Sequence, residues 1–143
     1  MKKGFTLAEL LAVISILGLI ALITIPNVLT KLKSSKEDLY NNQIEEIKAG
    51  AQSYITYEIS HLKTSSPLYT PVTTHTSTTI TVTLNDLQEA GMLDKNISNP
   101  LCDGSDKYFS PEETKIKIKY DSKEFEYEVF NDFDLRQSCT AKK

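Results

Sequence analysis

The stretch from Phe5 to Ile25, FTLAELLAVISILGLIALITI, constrains this chain more than any other part of it. It holds one charged side chain, Glu9; beyond the two leading lysines, the remaining charge starts at Lys31. As a helix rising about 1.5 Å per residue, the stretch runs roughly 31 Å. That matches the roughly 30 Å hydrocarbon core of a bilayer. A lone segment crossing lipid must satisfy its own backbone hydrogen bonds, so helix is the form open to it. The charge asymmetry separates an apolar stem from a soluble head. The 143 residues leave room for one small globular domain besides the stem.

A secretory signal peptide or a plain N-terminal anchor would also be apolar here. Lys2 and Lys3 supply a basic start, but no A-x-A-like cleavage site follows the core, where Thr24, Ile25 and Pro26 stand instead. Lys31, Lys33 and Lys36 follow the stem, so positive-inside counting leaves its orientation open. Glu9 does not fit a plain anchor. A carboxylate inside a lipid-spanning helix costs roughly 2.5–3.5 kcal/mol on insertion scales, and such residues are rarely left without a partner or a purpose. No basic residue lies at helical spacing within the stem. The partner of Glu9 must come from another molecule, from the chain's own terminus or from a proton.

The run Lys2-Lys3-Gly4-Phe5-Thr6-Leu7-Ala8-Glu9-Leu10 resembles the prepilin processing site of type IV pilins and pseudopilins. The pattern is a short basic leader, Gly, Phe, Thr, Leu, any residue, Glu, then an apolar run. The resemblance reaches Gly18 and Pro26, where many family members have a glycine and a helix-loosening proline. It covers the chain to about residue 60 and the head only loosely. It implies an α+β type IV pilin fold. In that fold a long N-terminal helix, transmembrane in its first half before assembly, packs against a small antiparallel β-sheet head with a C-terminal disulfide-bounded loop. The implied segments are a leader over 1–4, a hydrophobic assembly helix over 5–26, an amphipathic helix over 27–63 and a β-rich head over 64–143.

The resemblance also implies roles. Gly4 would supply the carbonyl of the bond cut by an aspartyl prepilin peptidase. Phe5 would become the first mature residue and carry N-methylation. Glu9 would pair with the Phe5 amine of an adjacent subunit, and the segment from Gly18 to Pro26 would loosen on polymerisation. Loss of the leader removes two lysines and deepens the acidic excess. The implied partners are other pilins in a homo- or hetero-polymer, the prepilin peptidase, a pilus assembly platform, the cytoplasmic membrane before assembly, and a host or surface ligand. The implied location is a single-pass membrane precursor that later joins an extracellular filament.

Beyond Pro26, Leu29, Leu32, Leu39, Tyr40, Ile44, Ile47, Ala51, Tyr54, Ile55, Ile59 and Leu62 recur at three- and four-residue steps. Lys36, Glu37, Glu45, Glu46 and Lys48 fall off that stripe, which predicts an amphipathic helix with one buried face. Gly50 reads as a mild weak point in it. A helix from Phe5 to Lys63 would run roughly 88 Å, too long for one globular core, so its first half must find cover in lipid or in other subunits.

Thr64 to Pro71 reads as a break. The hydroxyl-rich run from Thr73 to Thr79 reads as a solvated face, with glycan attachment as the alternative. Ile80 to Leu84 alternates like a strand or loop edge. Asn85 to Ala90 reads as a short helix capped by Asn85 and ended by Gly91, with Leu84, Leu87 and Leu93 as its anchors. Lys115 to Tyr120 and Glu124 to Phe130 both alternate. A two-residue turn at Asp121-Ser122 would set Lys119 against Glu124, Lys117 against Glu126 and Lys115 against Glu128. It would also set Ile118 against Phe125 and Ile116 against Tyr127, giving one apolar face and one charged face.

Cys102 and Cys139 are the only cysteines. Their spacing suggests no metal site, and an even pair in an exported head reads as a disulfide, as many pilins have. Function divides three ways: a structural pilin serving adhesion, motility or aggregation; a pseudopilin of a secretion or DNA-uptake machine; or, third, a membrane-tethered enzyme. The last has little support, because His61 and His75 are the only histidines and no catalytic triad, metal-ligand, cofactor or phosphate-loop pattern stands out. With 16 basic against 19 acidic residues the chain lacks a nucleic-acid footprint.

Overall fold

A computed structural model describes residues 5–61, 69–102, 104, 107–132 and 134–141. Residues 1–4 and 62–68, on which the expected leader, the end of the expected amphipathic helix and most of the expected break fall, lie outside the described residues. The chain divides into two compact units, Met1–Lys36 and Glu37–Lys143.

Helix α1 runs Leu7–Ser60 and continues through both Gly18 and Pro26. Pro26 has no N–H to give to the preceding turn. Nearby side chains bond the local carbonyls: Asn27 Nδ2 donates to the Ile23 carbonyl at 3.1 Å, and Thr30 Oγ1 to the Pro26 carbonyl at 3.0 Å. In the first unit every large apolar side chain from Phe5 to Leu32 is between 51% and 88% exposed.

The second unit has its own core. Tyr40, Ile47, Ala51 and Ile55 of α1 meet Leu84, Leu87, Ile97, Phe109, Ile116 and Ile118, with Ile44, Tyr54, Ile59 and Leu93 packed at its margin. Burial on α1 thus begins at Tyr40, and the expected stripe is shorter than its periodicity. Leu29, Leu32 and Leu39 are 61%, 57% and 54% exposed, because apolar spacing marks a face whether or not anything covers it. Gly50 is buried, and a Cβ there would stand 2.4 Å from Leu93 Cγ. The expected weak point is a close-approach position.

Helix α2, Tyr69–Thr74, occupies part of what the sequence suggested was break and hydroxyl run. It stops before His75, whose φ is 54°. The sheet has order β1-β2-β3 and is antiparallel, with β1 Thr78–Thr83, β2 Lys115–Tyr120 and β3 Phe125–Phe130. β1 starts earlier than the alternation from Ile80 suggests, because Thr78 and Thr79 pair with Tyr120 and Lys119.

The β2–β3 register is displaced by two residues from the expected one. Lys119 faces Glu126, Lys117 faces Glu128, Ile118 faces Tyr127 and Ile116 faces Val129. The turn sits one residue later than expected, at Ser122-Lys123. Asp121 causes this: its Oδ1 accepts the Lys123 and Glu124 amides at 3.1 and 3.0 Å, and Ser122 takes a φ of 81°. These two amide bonds hold the Asp121 carboxyl below the usual carboxylate range. A shift of two keeps every side chain on its expected face, so the Lys–Glu rows survive with new partners. Lys117 and Lys119 reach Glu128 and Glu126 at 3.1 and 3.3 Å, and Lys115 reaches Asp132 instead of Glu128.

Helix α3, Leu84–Glu89, is capped by Thr83 and not by Asn85. Thr83 closes β1 in extended conformation, accepts the Asp86 amide and donates its own N–H to Asp86 Oδ2 at 2.7 Å, a reciprocal capping box. Asn85 is already helical, and its amide donates to Glu89 at 3.0 Å. Gly91, with a φ of 71°, follows the Ala90 cap.

Cys102 and Cys139 are disulfide-bonded, with Cα atoms 5.9 Å apart. The architecture is α+β and has the elements of the pilin fold: a long N-terminal helix, a small antiparallel sheet and a disulfide near the C-terminus.

Candidate functional site

Of the residues expected to serve processing and assembly, Phe5 and Glu9 lie at the start of α1. Thr6 precedes the helix and caps it. Its Oγ1 accepts the Glu9 amide at 3.3 Å, while Glu9 Oε2 accepts the Thr6 N–H at 2.8 Å and the Thr6 hydroxyl at 2.9 Å. The Leu10 amide then bonds the Thr6 carbonyl at 3.2 Å. This is a capping box of the T-x-x-E type, in which two amides at the helix start find partners reciprocally. Glu9 is therefore tied to its own helix terminus. Thr6 joins the site through this box, and its signal in the sequence is a threonine three positions before the acid.

Phe5 is 88% exposed, one residue before the cap. Gly4 lies outside the described residues. A Cβ added at Gly18 would meet nothing within 4 Å, so the helix surface there is open. The polar residues of the segment turn inward to the helix backbone. Ser15 Oγ donates to the Leu11 carbonyl at 2.8 Å and Thr24 Oγ1 to the Ile20 carbonyl at 3.0 Å. With its few polar groups bonded locally, the remaining surface is apolar and uncovered. By length and composition this helix can cross a membrane.

Residues 1–25 match the family model of the prokaryotic N-terminal methylation motif, the signature of type IV pilins and pseudopilins. The N-terminal segment of the chain carries the type IV pilin and pseudopilin signature. No curated protein and no solved structure matches the chain.

The signature points to a structural protein. In the family that bears it, the signature goes with processing by a prepilin peptidase and polymerisation with pilins. Among the described residues, no group of three or more His, Cys, Asp or Glu is placed to hold a metal ion. Structure and motif bring Phe5, Thr6 and Glu9 together at one helix end. Gly18 and Pro26 lie further along the same helix. Cys102 and Cys139 belong to the second unit, where their bond encloses β2 and β3.

Proposed function

We propose that the chain is a structural pilin. A prepilin peptidase cuts it after Gly4, Phe5 is N-methylated, and the mature subunit polymerises through α1 into a surface filament for adhesion, motility or aggregation. The observation that carries this reading is the methylation motif on a helix segment whose large apolar side chains, from Phe5 to Leu32, are all exposed. Such a face is stable in lipid, and leaves lipid only for other apolar helices. Helices in oil gain little from apolar contact alone, so packing and polar pairing drive their association.

Cleavage would create a positive amine on Phe5, about one helical turn from Glu9. In this reading Glu9 exchanges its bonds to Thr6 for the Phe5 amine of a neighbour, which fixes the register between subunits. The segment from Gly18 to Pro26 then loosens as the helices bundle. The disulfide-closed head, Cys102–Cys139, favours a pilus subunit over the pseudopilin that shares the motif.

Immunogold labelling of intact cells, with mass analysis of the purified surface form, tests the proposal. The expected result is decorated filaments built from protein that starts at a methylated Phe5. Protein that still begins at Met1, or that never forms surface filaments, removes the pilin reading. A processed subunit confined to a secretion or uptake complex supports the pseudopilin instead. Gly4→Val should block cleavage, and mature protein from that variant would contradict the assigned site.

A further inference from the structure

The segment Asp134–Thr140 crosses the head with little regular structure. It forms one 3-10 turn, Leu135–Gln137, capped by Asp134, and one bridge in which Thr140 pairs with Tyr108. Its backbone is held from inside the head. Asn99 is wholly buried, and its Nδ2 donates to the Arg136 and Ser138 carbonyls at 3.4 and 3.3 Å. Both bonds lie beyond the usual range for N–H···O. Ser138 Oγ meets Thr114 Oγ1 at 3.1 Å, and Cys139 is bonded to Cys102.

The side chain of Arg136 reaches the other way, to α1. Its Nη1 donates to Glu37 Oε1 at 2.8 Å, and its guanidinium lies 5.6 Å from the Tyr40 ring centroid. Tyr40 also meets Phe109, with centroids 5.8 Å apart. Arg136 is the only arginine in the chain, and the planar guanidinium suits an acid and a ring together. The next wholly buried residue along α1 is Ile47. The turn from Glu37 to Tyr40 thus meets the head through Arg136 and Phe109.

We propose that this segment is a redox-sensitive clamp: the Cys102–Cys139 bond holds it in the pose from which Arg136 grips α1 at Glu37 and Tyr40. Opening the bond releases that turn of α1 while the sheet stays folded. A dithiol reductant suffices for the change. It gives two electrons and two protons, leaving Cys102 and Cys139 as thiols and itself as a cyclic disulfide. Once the covalent hold is gone, long hydrogen bonds from Asn99, the hydroxyl contact, a single bridge and the packing of Leu135 on the core keep the strap in place. β2 and β3 do not depend on it, since Ile116 and Ile118 are buried in the core and the two strands pair along their whole length. The clamp goes beyond the filament reading, and unassembled protein is enough to test it.

Amide hydrogen exchange read by mass spectrometry tests the clamp on the full chain in detergent micelles, oxidised and after dithiothreitol. Amides 38–44 of α1 should exchange about 5-fold faster or more after reduction, while β2 and β3 stay within about 2-fold. Arg136→Ala in the oxidised protein should give the same acceleration, with little added by reductant. Arg136→Lys should restore part of the protection. Unchanged exchange at 38–44 on reduction overturns the clamp. So does equal acceleration in β2 and β3, which would mean general loosening. Full protection at 38–44 in oxidised Arg136→Ala overturns it as well.

Discussion

Two donors compete for the Glu9 carboxylate: Thr6 of its own chain, and the amine that cleavage would create on Phe5. Glutamine accepts bonds in a capping box as glutamate does, but it carries no charge. Glu9→Gln should therefore keep the helix start and still assemble poorly, like Glu9→Ala, by filament yield per cell. Normal yield from Glu9→Gln beside low yield from Glu9→Ala would assign the residue to capping alone. Gly50 offers a second test. Glycine within a helix costs roughly 0.5–1 kcal/mol against alanine, so Gly50→Ala would stabilise a free helix. Here the methyl would stand 2.4 Å from Leu93 Cγ, and overpacking costs about 1–3 kcal/mol. Gly50→Ala should lower head stability by about 1–2 kcal/mol in chemical denaturation. Combining it with Leu93→Ala should cost less than the sum of the two. A variant as stable as its parent would show that Leu93 yields freely. Leu93 was legible as an anchor from its place after the α3 helix. Its contact with Gly50 was not, because nothing local in sequence announces a meeting of residues so far apart.

The elements divide by periodicity. β2 and β3 were readable because alternation at a period of two shows directly which residues share a face. The turn between them was misplaced by one residue, since the choice rests on two amides reaching the Asp121 side chain and not on any apolar pattern. Ser122 carries the consequence, with a φ of 81° that most side chains resist. Ser122→Gly should stabilise the head by about 0.5–1 kcal/mol and Ser122→Val should destabilise it, both read by thermal unfolding. A destabilised glycine variant would contradict the backbone argument. The α3 cap was misread for a similar reason: Thr83 is both the last residue of β1 and the cap of the next helix, and strand alternation masked its second role. The stretch from Ile97 to Ser110, with isolated bridges at Ser98 and Tyr108, has no period to read. The buried amide of Asn99 sits within it.

At the scale of the whole molecule the head should fail at high pH. Burial raises the pKa of Tyr40, Tyr54 and Tyr127 above the ordinary phenol value; for Tyr40 the Arg136 charge opposes this, and for Tyr54 Glu58 and Asp86 add to it. The folded head holds these protons more tightly than the unfolded chain does. Their contribution is complete below the unfolded phenol pKa of roughly 10 and is lost as pH rises through the folded values. Unfolding midpoints should therefore fall with rising pH in that window, with phenolate absorbance appearing as the head opens. Flat stability across the window would show that the rings ionise in place. The disulfide has a mechanical consequence too. It joins residues separated by 37 positions, which at about 3.4 Å each could otherwise pay out roughly 125 Å of slack. Tension entering at α1 and leaving beyond Cys139 would pass from sulfur to sulfur. The β2–β3 hairpin inside that loop would be spared tension along its own chain and would feel load only through its pairing with β1.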